Sequence, residues 1–315
     1  MGRYIARRLF WTIPVLFFIA VVTFSLAHAL PGGPFDKEKA LPTEIIANLE
    51  KHYGLDQPLW KQFTDYLGVT RKPNGEYGGL FQGQLGPSFS SRSRTVNDIM
   101  AAHLPVSLNL GVWALLIAIG LGVPLGVVAA LKQNTIYDYL GMGVAIFGVS
   151  LPNIVLGPLL IWIFALTLDW VPVAGWGRPS QVIMPAIALG LPSSAILARL
   201  TRASMLQVIR EDYIRTARAK GLSERAVMVK HAMKNAFIPV ATVLGPIFAA
   251  VTTGSFVVEQ IFAIPGLGKY FIVSIGNRDY PVVMGAILLY AVFLVAANLI
   301  VDITYAFLDP RIRYT

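Results

Sequence analysis

Long apolar runs set the pattern of this chain. Six stand out: Leu9 to Leu30, Leu104 to Leu131, Ile136 to Leu168, Val182 to Met205, Ile238 to Val258 and Val282 to Leu308. Each holds about 20 residues or more, enough for a helix to cross a bilayer core of roughly 30 Å. A spanning segment must satisfy its own backbone hydrogen bonds, so these runs predict membrane helices. Pro152 and Pro158 interrupt the long third run, and further prolines fall at Pro14, Pro124, Pro185, Pro192 and Pro246. Membrane helices tolerate them where neighbours re-satisfy the freed backbone groups. Gly122 and Gly126 form a G-x-x-x-G pair that allows two helices to approach closely. The pattern describes an all-α polytopic membrane protein with six transmembrane helices.

The polar stretches between the runs carry their own patterns. After the first run, Leu59, Trp60, Phe63, Tyr66 and Leu67 repeat at helical spacing, with Asp56 placed to cap that helix and Pro58 in its first turn. The stripe either packs on the membrane domain or offers a docking surface. A shorter helix is expected over about Thr43 to Tyr53, closed by Gly54. From Arg71 to Ser93 the chain is rich in Gly, Ser and Pro and reads as loop. Arg3, Arg7 and Arg8 before the first run, and Ala27-His28-Ala29 after it, also fit a cleavable signal. Its apolar stretch of about 20 residues exceeds the usual 7–15, so the helix is expected to be retained.

Composition agrees. The chain has 315 residues, 55% hydrophobic and 14% charged, where a soluble domain carries roughly a quarter charged. It has no cysteine, which excludes disulfides, thiol catalysis, Cys-ligated metals and a lipoprotein anchor. The net charge of +9 would suit nucleic acid, but its distribution argues otherwise. Arg3, Arg7, Arg8, Lys132, the nine basic residues between Arg199 and Lys234, Arg311 and Arg313 fall on one side of the expected topology. Only Arg178, Lys269 and Arg278 fall in short loops on the other. The long loop Pro31 to His103 balances eight basic against eight acidic residues. By the positive-inside rule both termini are cytoplasmic and the long loop is external. The positive charge is topogenic, and no nucleic-acid partner is expected.

Enzymatic and ion-coupled chemistry finds no foothold. There is no G-x-x-x-x-G-K-[ST], no H-E-x-x-H and no G-x-S-x-G, and His28, His52, His103 and His231 are scattered. Tyr137-Asp138 falls in a short cytoplasmic turn, and Gly266-Leu267-Gly268 is followed by Lys269, so an intramembrane aspartyl protease is not built here. Asp302, near the cytoplasmic end of the last run, and Glu259, at the outer end of the fifth, are the few ionisable groups near the membrane segments. So few ion ligands argue against a proton- or sodium-coupled secondary transporter. No cofactor or metal site is expected.

The cytoplasmic stretch Ile214 to Pro239 is the informative exception. Ile214 to Lys220 favours helix, and Gly221 can take the left-handed conformation that ends one. Ser223 is a natural N-cap for a second helix, with Leu222 and Val227 at hydrophobic-staple positions. That helix is expected to run to about Phe237, with Pro239 opening the next membrane segment. Arg215, Arg218, Lys220 and Arg225 stay solvated, and Ala217 and Ala219 keep the first helix slim enough to enter a groove. The rival is a basic loop that only sets topology.

The insert resembles the coupling motif of binding-protein-dependent ABC importers, E-A-A-x-x-x-G followed by I-x-L-P. Ala217 and Gly221 match its second Ala and its Gly. Arg215 and Thr216 replace the Glu and first Ala, and Met233-Lys234 replace Leu-Pro. R-T-A-R-A-K-G-L from Arg215, then H-A-x-x-N-A-x-x-P from His231, resembles the peptide/nickel permeases. Further landmarks are Arg3 to Leu9, Leu30-Pro31-Gly32, Leu85-Gly86-x-Ser88, Ile261-Phe262-x-x-Pro265-Gly266-Leu267-Gly268, Asn277-Arg278-Asp279-Tyr280 and Asp309 to Tyr314. Pro34-Phe35, Leu41-Pro42 with Ala47-Asn48, Val96-Asn97-Asp98 and Ala130 to Thr135 resemble most the B-type subunits of oligopeptide importers, with dipeptide and nickel permeases close.

The resemblance implies a type I ABC importer permease in a bacterial plasma membrane, working beside a second homologous permease subunit, two ATPase subunits and an extracytoplasmic peptide-binding protein. It implies four regions: 1–30, the first helix; 31–95, an extracytoplasmic region; 96–308, the transmembrane domain with its coupling loop at about 206–237; and 309–315, a cytoplasmic tail. Tyr213, Ile214, Arg215, Thr216, Ala217, Arg218, Ala219, Lys220, Gly221 and Leu222 would enter the ATPase groove. Pro265, Gly266, Leu267 and Gly268 would sit under the binding protein, and Asn109, Asn153 and Glu259 are candidates to line the path.

Overall fold

The computed structural model describes residues 2–29, 33–35, 42–70, 78–91, 93–253 and 255–308, the side chains of 2–4 and 302–308 aside. The landmarks at 30–32, at Leu41 and in the tail 309–315, and the side chain of Asp302, lie outside them. Among the described residues, five helices are long and apolar enough to cross a membrane: Ile5–Ala29 within α1 (Gly2–Ala29), α4 (Val96–Leu131), α7 (Pro179–Val208), Glu224–Ile261 and Tyr280–Val301. A sixth span is the pair α5 (Ile136–Ser150) and α6 (Asn153–Leu160, continued by a wide π turn to Thr167), bent by 105°. The break falls at Leu151-Pro152, where Pro152 holds extended backbone and starts α6. Pro158 stays inside its helix.

Two elements start or run differently from expectation. α4 begins at Val96, eight residues before its apolar run, because Thr95 and Asp98 close a reciprocal cap. The Thr95 N–H donates to the Asp98 carboxylate at 2.9 Å, and the Asp98 N–H donates to Thr95 Oγ1 at 3.2 Å. The helix expected to stop near Phe237 does not stop. α9 (Glu224–Ala226), a π turn over Val227–Ala232 and α10 (Met233–Thr253) are continuous, and Pro239 sits inside α10. A proline removes one backbone donor but need not end a helix whose neighbours pack tightly.

The chain forms two compact units. In the first, residues 2–6, 106–265 and 293–308, the core sets small and medium side chains beside the larger Met184 and Phe262: Ala114 and Ala118 on α4, Leu156 on α6, Ala188 and Leu197 on α7, Val240 and Val251 on α10. Lipid tails are as apolar as leucine, so contact rather than water exclusion holds such helices together. Gly122 and Gly126 serve that contact. A Cβ on Gly122 would lie 2.4 Å from the Ser194 carbonyl oxygen, and one on Gly126 2.5 Å from that of Ala198.

The second unit comprises residues 7–105 and 266–292. α2 (Thr43–Tyr53) ends at Gly54 in the left-handed conformation, as expected. α3 (Leu59–Leu67) starts directly after Pro58, and Asp56 does not cap it. Pro58 already fixes the extended backbone that a cap residue supplies. The stripe of α3 divides: Phe63 and Tyr66 pack on Phe24 of α1 at ring distances of 5.1 and 6.3 Å, Leu67 is buried, and Leu59 and Trp60 stay exposed. α12 (Leu267–Gly276) and the start of α13 (Tyr280–Leu308) complete a core of Val96, Ile99, Met100, Leu267, Val282 and Ala286. Asp279, at the α13 start, is buried and accepts from the Ser88 hydroxyl and from the Phe89 and Ser90 N–H groups at 3.0 and 3.1 Å.

If contact through small residues holds the first unit, Gly126→Val should lower the melting temperature of the purified protein, since overpacking against backbone costs about 1–3 kcal/mol. Gly120→Val on the same helix, where an added Cβ meets nothing within 4 Å, should leave it unchanged.

Candidate functional site

The insert begins where α7 ends at Val208. α8 (Asp212–Ala219) follows, with Asp212 in its first turn, where a carboxylate suits the helix dipole. Its inward face is Ile214 and Ala217, three residues apart and both buried. They join Ala130 of α4, Met205 of α7 and Val227, Met228, Ala232 and Ala236 beyond the elbow. Burying Ile214 contributes roughly 1.5–3 kcal/mol. Ala217 therefore faces this docking core and does not slim the outer face. Tyr213, Arg215, Thr216, Arg218, Ala219 and Lys220 are exposed. Arg225 is exposed as well.

The elbow follows. Gly221 has φ +77°, the Gly221 N–H donates to the Arg218 carbonyl at 2.9 Å, and the Leu222 N–H donates to the Ala217 carbonyl at 3.4 Å. This is the Schellman closure of a helix end, and it favours glycine. Two side-chain ties brace it. Arg218 donates twice to Glu224, at 2.8 and 3.1 Å, which raises the Arg218 pKa above its ordinary value. Asn235 Nδ2 donates to the Tyr213 hydroxyl at 2.7 Å. The expected cap and staple at Ser223 are not what holds α9: the Ser223 hydroxyl makes no capping bond, and Leu222 stays 43% exposed while Val227 is buried in the docking core. Glu224 is engaged by Arg218, and the π turn draws Val227 inward.

The other candidates are spread along the chain. Pro265 is exposed, whereas Gly266, Leu267 and Gly268 are buried and open α12. Asn109 is exposed on α4, and Asn153 is half-buried at the start of α6. Glu259, on α11 (Phe256–Ile261), is 0% exposed and accepts from the hydroxyls of Ser107 at 2.6 Å and Ser255 at 2.5 Å.

One tie had no counterpart in the sequence reading. Asp138, in the first turn of α5 and 2% exposed, receives Arg202 of α7 in a bidentate pair at 2.6 and 2.7 Å. The Asn134 N–H adds a third bond at 3.0 Å. Arg202 lies one helical turn before Met205 of the docking core, so the pair fixes α5 to the helix that carries the insert.

Residues 122–314 match the family described as "Binding-protein-dependent transport system inner membrane component". Residues 1–111 match its N-terminal companion, "Binding-prot-dependent transport system membrane comp, N-term". The chain belongs to this family.

It is thus an inner-membrane permease component. It is 44% identical to a dipeptide transport system permease protein of Bacillus subtilis, over 99% of this chain and 98% of that one. It is also 44% identical to an oligopeptide transport system permease protein of Salmonella typhimurium over the whole of both chains. The Escherichia coli K12 oligopeptide permease protein is 43% identical over the same extent. Among solved structures, a methionine ABC transporter in inward-facing form superposes with TM-score 0.56 at 15% identity, over 67% of this chain and 96% of that one. An amino acid ABC transporter gives 0.52 at 18%, over 66% and 94%. At these identities they show the fold, that of ABC importer permeases.

In the permease, the Asp138–Arg202 pair had two faint signals: Thr135-x-x-Asp138 marks a helix start, and Arg202, like Arg199, sits inside a largely apolar run. Their separation of 64 residues hid the pairing. Removing one partner of a buried pair costs about 3–5 kcal/mol, whereas replacing both with apolar groups is often neutral. Asp138→Asn should therefore destabilise the purified permease markedly, and the double variant Asp138→Leu with Arg202→Met should recover most of the loss in a thermal melt.

Proposed function

We propose that this permease moves oligopeptides into the cell as one half of a pore, beside a second homologous permease subunit. Two separate ATPase subunits energise it, and an extracytoplasmic peptide-binding protein delivers the cargo. The full-length identity to oligopeptide permease proteins carries this reading. The dipeptide permease of Bacillus subtilis, equally identical, favours dipeptides as the second reading. The absence of any P-loop motif from the sequence supports ATP hydrolysis by partner chains.

In this reading both termini and the insert are cytoplasmic, as the basic residues indicate. The first helix ends near residue 30, the region 31–95 is extracytoplasmic, residues 96–308 form the transmembrane domain, and 309–315 form a tail. Tyr213 to Leu222 dock on the ATPase, presenting Tyr213, Arg215, Arg218 and Lys220. A push on α8 reaches the docking core through Ile214 and Ala217, and so moves the ends of α4, α7 and α10 together, as packed helices shift between discrete arrangements. Pro265 with the start of α12 meets the binding protein, and Asn109, Asn153 and Glu259 line the path.

Concentrative uptake of a labelled tetrapeptide by reconstituted complex should require both ATP and the binding protein. Uptake by the single chain driven by an ion gradient would refute the reading. Transport of dipeptides alone, or of nickel, would move the substrate assignment but keep the class.

The elbow gives a sharper test. A Cβ at Gly221 meets no atom within 4 Å, so only its φ of +77° opposes a side chain. That strain costs about 1 kcal/mol, more for a β-branched residue. Gly221→Val should reach the membrane at normal levels yet co-purify less ATPase and transport little, with exposed Ala219→Ser mild. A Gly221→Val complex that assembles and transports like wild type would reduce the insert to a topogenic loop.

A further inference from the structure

Helix α3 has no role in the proposed transport cycle, and its surroundings are unusual for a segment placed outside the membrane. A hydrocarbon core takes about 20 helical residues at roughly 1.5 Å each. Counted from Leu9, just past Arg7 and Arg8, it ends near His28 of α1. The Phe63 ring of α3 packs against Phe24 at 5.1 Å and also against Phe17 at 6.2 Å. Phe24 lies four residues before His28 and Phe17 eleven, so these contacts fall roughly 6 to 16 Å inside the end of the apolar stretch. α3 therefore lies alongside the span, not beyond it.

Two further observations fit that depth. Trp60 is 67% exposed and Leu59 57%, and both border a groove with Val21, Ser25 and Ala29 of α1. Phe18 and Leu26 on α1 are exposed to the same degree, at 66% and 62%, so the apolar surface of the span continues onto α3. Apart from the buried Tyr66 hydroxyl, which has no partner, the polar side chains of α3 are meanwhile satisfied internally. The Gln62 amide donates to the carbonyls of Leu55 and Gln57 at 3.0 and 2.7 Å, and its oxygen pairs with His28 Nε2 at 3.1 Å. Lys61 pairs with Asp65 at 3.5 Å. Polar groups at membrane depth must find such partners, and tryptophan collects at the headgroup level.

We propose that α3 is an interfacial helix embedded in the outer leaflet, with Leu59 and Trp60 against lipid acyl chains. The outer side rests on the orientation proposed above; the lipid contact does not. Because the chain has no cysteine, Trp60→Cys, Phe18→Cys and Asn48→Cys can each carry one nitroxide in the assembled transporter in liposomes. Position 60 should collide with oxygen more than with a water-soluble nickel chelate, as position 18 does, while exposed Asn48 on α2 should show the reverse. Chelate preference at position 60 would overturn the proposal by placing it in water. Low collision with both reagents would overturn it by placing a protein partner there. Leu59→Cys reads the same surface if Trp60→Cys does not assemble. Chelate confined outside sealed vesicles tests the orientation separately: failure to reach position 48 would reverse sidedness and leave the lipid result standing.

Discussion

Ile214 is fully buried, and much of what the insert can do depends on that. A short exposed helix is marginal by itself, since nucleation is costly and eight residues offer few hydrogen bonds. Packing supplies what propensity does not. With Ala217, Ile214 seats α8 on Ala130, Met205 and the Val227–Ala236 stretch, so one two-residue stripe reaches three membrane helices. The surface ion pair Arg215–Asp212, at 3.4 Å with both groups well exposed, is worth little beside this.

A docked helix transmits force only if its far end is also fixed. The elbow meets that need in two ways. Gly221 closes α8 without strain, and the Arg218–Glu224 and Tyr213–Asn235 ties span the turn from opposite sides of Gly221. Both ties involve residues exposed on the outer face, so a partner pressing there touches the groups that set the elbow angle. The continuity of α9 into α10 removes any second joint: displacement of the insert becomes displacement of a membrane helix.

The membrane architecture was legible in the sequence because length and hydropathy alone select spanning helices. The bend at Pro152 was readable as an interruption but not as a turn of 105°. Thr95-x-x-Asp98 marked the early start of α4, although the apolar run drew attention to Leu104. In the insert, the left-handed Gly221 and the solvated arginines followed from residue chemistry. The inward direction of Ala217 was present in its spacing from Ile214, yet needs knowledge of what lies beneath. The π turn at Val227–Ala232 and the survival of α10 through Pro239 depend on tertiary packing, which local propensity does not report. The Arg202–Asp138 pair had only faint local signals, and its partners lie 64 residues apart.

Three acids of this chain share a placement. Asp98, Asp138 and Asp279 each stand at the start of an apolar helix: α4, α5 and α13. The positive end of the helix dipole favours a carboxylate there. Asp98 stays within its own cap, bonding Thr95, whereas Asp138 reaches Arg202 and the Asn134 N–H, and Asp279 reaches Ser88 and two following N–H groups. Helix ends are where a membrane protein has spare backbone donors and access to water, so a charge costs least and binds most there. Asp138 and Asp279 therefore pin helix starts to a neighbouring helix or loop, while in the interiors small residues such as Gly122 and Gly126 bring helices into close contact. The ends are thus held by specific polar bonds and the middles by close contact, so the two kinds of tie fail to different substitutions.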